Sequence, residues 1–206
     1  MRRLIVAITG ASGAIYGIRA LEVLREVPDL ETHLIVSAAG GTTIASETGW
    51  TLAAVRGLAD VVHRDTDVGA SIASGSYRAT GMLVAPCSIK TLSGIANCFT
   101  DTLTTRAADV MLKERRRLVL LVRETPLHAG HLRLMAHASE SGAMIMPPVP
   151  AFYHRPQTIM DIVDQTIGRA LDQFEIDAGI VRRWEGVAGA GRHDVPALLP
   201  RADRGT

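Results

Sequence analysis

Leu118-Val119-Leu120-Leu121-Val122 is five residues without a polar side chain, so a strand made from it leaves neither face to water. A strand buried on both faces belongs to a parallel sheet covered on each side by helices. Arg123-Glu124-Thr125-Pro126 follows at once, and a guanidinium and a carboxylate therefore emerge together from a buried strand end. In open α/β sheets ligands sit in the crevice beyond the carboxyl ends of the strands. The expectation is that Glu124 is shielded from water there and tuned by its cationic neighbour.

The rest of the chain repeats this alternation. Leu4–Ile8 reads as a buried strand, Gly13–Glu26 as a helix and Glu31–Ser37 as a second strand, which makes a βαβ unit. Gly81–Ala85 is another short buried strand, Thr102–Glu114 and Leu127–Ser141 have helical spacing, and Ala143–Met146 returns to strand. After Gln157, the residues Ile159, Ile162, Val163, Ile167, Leu171 and Phe174 share one helical face. The fold class is α/β with a parallel sheet between two helical layers. Residues 1–176 form one domain. Residues 177–206, rich in Gly, Ala, Arg and Pro, are expected to be a partly flexible extension that Trp184 anchors.

Composition narrows the partners. A net charge of about +1 with acids and bases interspersed provides no basic face for nucleic acid. No stretch approaches the ~20 apolar residues of a membrane span. Cys87 and Cys98 have no C-x-x-C spacing, which suits reduced thiols in a cytoplasmic protein and supports neither a disulfide framework nor a metal site. Arginine outnumbers lysine 20 to 2, so Lys90 and Lys113 stand out.

Four further segments carry polar groups suited to chemistry. Thr9-Gly10-Ala11-Ser12-Gly13 joins a strand to a helix, where glycines allow close approach and the helix N-terminus offers N–H groups to an anion. Its spacing is neither G-x-G-x-x-G nor a P-loop, and a plain turn with Ser12 as cap is the alternative. Pro86-Cys87-Ser88-Ile89-Lys90-Thr91 ends another strand with two hydroxyls and a cation, a second phosphate site or an ordinary Ser88 cap. Ser37, ending the second strand, belongs beside it or is a turn serine. In Thr102–Glu114, Arg106, Asp109 and Lys113 share a face, as a surface ion-pair ladder also would. Met146–Pro156 has four prolines, and so is either a stiff loop held over a ligand, with Tyr153 as a hydroxyl donor, or a crossover with His154 and Arg155 facing solvent. Ser12 and His154 do not make a hydrolase pair, because no G-x-S-x-G elbow is present.

TGASGAIYG at Thr9–Gly17, IASGS at Ile72–Ser76, PCSIKTLSGIA at Pro86–Ala96, TRAADVMLKERR at Thr105–Arg116, RETPLHAGHLRLM at Arg123–Met135 and MPPVPAFYHRPQ at Met146–Gln157 together resemble the UbiX-type flavin prenyltransferases, a family formerly known as aromatic-acid decarboxylases. The resemblance runs from about residue 3 to Trp184. It implies a three-layer Rossmann-like (flavodoxin-like) fold and a homo-oligomer, dodecameric or trimer-based. The implied reaction joins the dimethylallyl group of dimethylallyl phosphate to N5 and C6 of reduced FMN, without metal, and the product serves a separate UbiD-type decarboxylase. Gly10, Ala11, Ser12, Ser37, Ser88, Ile89, Lys90, Thr91 and Arg123 fall on the family's FMN-contacting positions. Tyr153, Arg169, Lys113 and Arg106 fall among those for the prenyl phosphate, with Ser12 and Arg123 nearby, and Glu124 matches its acid/base. Departures are Ser37-Ala38-Ala39, which lacks a lysine that many relatives have beside FMN, Arg117 in place of proline, and Val68 where some members have tryptophan.

Cations and hydroxyls around an allylic phosphate ease its departure, and positioning the acceptor beside the allyl cation is worth ~7–11 kcal/mol. Two other readings share the fold. A cysteine-oxidising flavoprotein would need an early catalytic histidine, whereas the first here is His33, inside a strand. A non-catalytic FMN-binding assembly subunit would have no need of Lys113, Glu124 and Arg169 together.

Overall fold

The computed structural model describes residues 1–186. Its first unit is β1 (Arg2–Ile8), α1 (Ala14–Leu24) and β2 (Leu30–Val36), followed by α2 (Ala38–Glu47), α3 (Leu52–Arg56) and β3 (Val61–Arg64). The second run is β4 (Gly81–Cys87), α4 (Ile89–Ala96), α5 (Leu103–Lys113), β5 (Arg117–Val122), α6 (Ala129–Glu140), β6 (Met144–Ile145) and α7 (Ile159–Asp172). All pairings in the sheet are parallel, in the order β3-β2-β1-β4-β5-β6. This is the doubly wound, Rossmann-like order, with its switch point between β1 and β4.

Period-2 alternation divides each central strand between two cores. Leu4, Val6 and Ile8 of β1, with Val119 and Leu121 of β5, pack under α1 and α7 against Ile18, Leu21, Ile167, Leu171 and Phe174. Ile5 and Ala7, with Leu118, Leu120 and Val122, pack against Leu92, Leu103, Val110 and Met111 of α4 and α5 and Ala138 of α6. The five-residue apolar run in β5 is thus shared between the layers, as a strand with no wet face must be. Each such side chain contributes roughly 1.5–3 kcal/mol by burial.

Three elements go beyond the sequence reading. Helix α2 contains Gly40, Gly41, Thr42 and Thr43 and buries Gly40 and Ile44, so its apolar stripe is too thin to register as periodicity. Helix α3 is five residues long, and β3 is a four-residue edge strand with no fully buried side chain. Residues 177–186 run back along α7. A Cβ on Gly168 would collide with Val181, and Arg182 N–H donates to Gln165 Oε1 at 3.0 Å. The remainder of the extension, residues 187–206, lies outside the described residues.

Candidate functional site

The strand ends at the switch point are laced together. Thr9 Oγ1 donates to Pro86 C=O at 2.7 Å and accepts the Ser88 N–H at 2.9 Å. Ser37 N–H donates to Ile8 C=O and Arg123 N–H to Cys87 C=O, each at 3.1 Å. Four segments separate in the sequence, those following β1, β2, β4 and β5, therefore meet at one crevice.

At its centre stands the N-terminus of α1. Gly13 has φ +98°, a left-handed conformation that a Cβ would strain, and no side chain caps the helix. Ser12 is therefore not its N-cap. Gly13 N–H instead donates to Glu47 Oε2 at 2.7 Å. Burial pushes the Glu47 carboxyl up, but the Gly13 and Ala14 N–H groups, the Ser12 hydroxyl and the Arg123 charge outweigh it and hold the group below its ordinary value. A carboxylate thus rests where the sequence predicts an anion. Glu47 itself carries no sequence signal, since it ends a helix that the pattern does not reveal. Gly10 is confined for another reason, as a side chain there would run into Ala39 at the start of α2.

Two of the three serines named from the sequence, Ser37 and Ser88, are helix caps. Ser37 Oγ accepts Gly40 N–H at 3.0 Å and Ser88 Oγ accepts Thr91 N–H at 3.2 Å, while the Ser88 and Thr91 hydroxyls lie 3.0 Å apart. A cap hydroxyl accepts through oxygen and keeps its hydrogen for another partner, so capping and anion binding are compatible. Ile89 is half-buried, and exposed Lys90 lines a groove of about 750 Å³ between α4 and α6.

Arg123 and Glu124 leave β5 side by side, yet both are exposed and no ion pair joins them among the described residues. Glu124 Oε1 accepts the Thr125 N–H at 3.0 Å. The shielding expected of Glu124 is not supplied by the described residues, which leave its side chain exposed.

Lys113 and Arg106 lie elsewhere. Lys113 ends α5, which feeds the start of β5, while Arg123 follows its end, and at about 3.3 Å per residue the strand separates them by roughly 20 Å. Lys113 Nζ pairs with Glu114, and a Cβ on Gly75 would meet that ammonium at 2.6 Å. Arg106 donates to Asp109 at 2.8 Å and to Ala73 C=O at 3.1 Å. The ladder from Arg106 to Asp109 exists, but Lys113 belongs with the 74–76 loop.

Tyr153 and Arg169 form a third group, around α7. Gln165 Nε2 donates to Tyr153 Oη at 2.6 Å, the Trp184 ring lies edge-on to the Tyr153 ring at 5.7 Å, and Asp172 binds both Arg169 and Arg183. His154, which a simple crossover would turn to solvent, is instead 9% exposed. Among the described residues, no hydrogen bond or ion pair connects this group with Ser12, Arg123 or Lys113. Among the same described residues, no three His, Cys, Asp or Glu side chains gather as a metal ligand set, and no helix is long and apolar enough to cross a membrane.

The flavoprotein family profile matches residues 1–182. Over 188 residues the chain is 61% identical to the flavin prenyltransferase UbiX of Escherichia coli K12, covering 90% of this chain and all of that protein. This chain belongs to the UbiX-type flavin prenyltransferases. The crystal structure of AnUbiX in complex with FMN and dimethylallyl pyrophosphate superimposes with a TM-score of 0.88 at 52% identity, over 90% of this chain and 98% of that one. A dodecameric FMN-dependent UbiX-like decarboxylase from Escherichia coli O157:H7 gives the same TM-score at 49% identity, over 89% and 100%. As a UbiX-type protein, the chain distributes its candidate residues over three separate places: the strand-end crevice, the α5 terminus and the outer side of α7.

Proposed function

We propose that this protein is a flavin prenyltransferase that joins the dimethylallyl group of dimethylallyl phosphate to N5 and C6 of reduced FMN and supplies the product to a UbiD-type decarboxylase in the cytoplasm. The observation that carries the reading is the strand-end crevice, where an α1 N-terminus, two cap serines, Thr91 and Arg123 converge, in a chain 61% identical to a flavin prenyltransferase.

The donor set fits FMN. The Ser37 hydroxyl hydrogen and one hydrogen of the Ser88–Thr91 hydroxyl pair stay available, which suits a phosphate monoester, and the Glu47 carboxylate resting at the α1 N-terminus supports oxyanion binding at that end. In this reading Gly10, Ala11, Ser12, Ser37, Ser88, Ile89, Lys90, Thr91 and Arg123 hold the flavin. When bound, reduced FMN supplies the nucleophile.

The chain's own groups handle charge and protons. Arg123, Lys113, Arg169, Tyr153 and Ser12 neutralise the departing phosphate dianion, and Arg106 steadies the α5 face behind Lys113. Glu124 moves the proton released as the second bond closes. Since one chain separates Lys113 from Arg123 by the length of β5 and places Tyr153 outside α7, the full phosphate site assembles from neighbouring copies in a homo-oligomer, as the dodecameric relative allows. The same assembly provides the cover that Glu124 lacks.

Mass spectrometry of flavin released after anaerobic incubation with reduced FMN and dimethylallyl phosphate tests this. The expected result is FMN enlarged by one five-carbon unit, and recovery of unmodified FMN alone would refute it.

A further inference from the structure

Gln165 is 4% exposed, and its amide uses both donors and one of two acceptor lone pairs. Arg182 N–H donates to Oε1 at 3.0 Å, Nε2 donates to Arg182 C=O at 3.2 Å, and Nε2 also donates to Tyr153 Oη at 2.6 Å. Backbone chemistry decides which end of the amide is which. An N–H can only donate and a C=O can only accept, so Oε1 must face the Arg182 nitrogen and Nε2 its carbonyl. The remaining N–H of Nε2 then points at the phenol, which has to accept it.

A hydroxyl that accepts on that side must turn its own hydrogen elsewhere. Among the described residues nothing takes that hydrogen. Tyr153 is 45% exposed, with the Trp184 and His154 rings edge-on to it, so the free hydrogen has open space before it.

We infer that Gln165 is a positioning residue that presets the Tyr153 hydroxyl as a donor toward a phosphoryl oxygen of the prenyl substrate. This rests on the reading of Tyr153 as a phosphate contact. A tyrosine without such a neighbour can present either a lone pair or a hydrogen, and against an anion only the hydrogen helps. Fixing the choice beforehand removes a reorganisation that binding would otherwise require. The same amide clamps Arg182, so the donor orientation of Tyr153 depends on residues 180–184 lying along α7.

The test is calorimetric titration of the FMN-loaded protein with dimethylallyl phosphate, comparing the parent, Tyr153→Phe, Gln165→Glu and the double variant. A carboxylate at 165 still accepts the Arg182 N–H but also accepts from the phenol, which turns the hydrogen inward. Each single change should weaken substrate binding by about tenfold or more, the scale of a hydrogen bond to a charged group. FMN affinity should stay unchanged. The two effects should not multiply, because the second change acts through the hydroxyl that the first removes. Losses that multiply would show that Gln165 does not act through Tyr153 and would overturn the inference. A silent Tyr153→Phe would overturn the assignment of Tyr153 to the phosphate, and this inference with it. Should Gln165→Glu fail to fold, Gln165→Leu serves in the same cycle. It frees the hydroxyl to rotate, so its loss should be a few-fold and absent in the Tyr153→Phe background, and an equal loss in both backgrounds would count against the inference.

Discussion

The Glu47 carboxylate, at the end of α2, accepts the backbone N–H of Gly13 at 2.7 Å and so occupies the positive end of α1. A segment of low-complexity appearance, containing Gly40 and Gly41, is thereby tied as a helix to the opening turn of the first βαβ unit. The tie also places a negative charge within reach of Arg123.

Glu47→Ala should loosen this junction. A carboxylate at a helix N-terminus contributes about 0.3–1 kcal/mol, toward the lower end where solvent screens it as here. The expected fall in Tm is about 1–3 °C for a chain of this size, measured by calorimetry with and without inorganic phosphate. Added phosphate should recover part of the loss if the vacated N-terminus takes an oxyanion, and no recovery would argue against anion binding there.

Glu124→Gln keeps the shape of the side chain and its Thr125 N–H contact while removing its ability to carry a proton. FMN should bind as in the parent, and formation of complete product should fall by about a hundredfold or more, the usual scale for general acid–base groups. Product formed at the parent rate would make Glu124 a structural carboxylate.

Lys113→Ala and Arg123→Ala variants should each be slow alone and rescue one another when co-assembled. If each phosphate site draws Lys113 from one copy and Arg123 from another, random mixing leaves about a quarter of the sites intact. Were both drawn from the same copy, every site in the mixture would carry a lesion and no activity would return. Expressing both chains together and measuring prenylated flavin decides between these outcomes.

Acid should release the chain after α7. Hydrogen bonds from Arg183, and then from Arg169, hold the Asp172 carboxyl below its ordinary value of 3.8 against the opposing effect of burial. A carboxyl depressed in the folded state stabilises above its unfolded pKa and loses that contribution as pH falls through the folded one. Fluorescence of Trp184, read in a Trp50→Phe background, should therefore change below about pH 4. Asp172→Asn should show the acid-form signal already at pH 7. Identical titrations of the two proteins would show that Asp172 does not hold the segment.

The strand-end crevice was legible because its parts are local. Apolar runs at Leu4–Ile8, Gly81–Ala85 and Leu118–Val122 reveal buried strands, and parallel strands must end on the same side. Thr9–Gly13, Ser37, Ser88–Thr91 and Arg123 were therefore bound to converge, and they do. Glu47 was hidden because α2 buries too little to leave a periodic stripe, and Gln165 because a buried amide among Val163, Thr166 and Ile167 looks like any polar residue on an amphipathic helix. Its importance lies in contacts 12 and 17 residues away in the chain.

By itself, the order of residues determined the α/β class, the parallel sheet, the crevice and, through motif resemblance, the family. These follow from short-range patterns of burial and from glycine and serine at strand ends. Only the tertiary structure decided that Lys113 sits beside Gly75 of the 74–76 loop, that Tyr153 and Arg169 gather outside α7, and that Glu47 closes on Gly13. Those relationships depend on helix packing and chain reversal, which bring together residues whose sequence spacing carries no record of the distance.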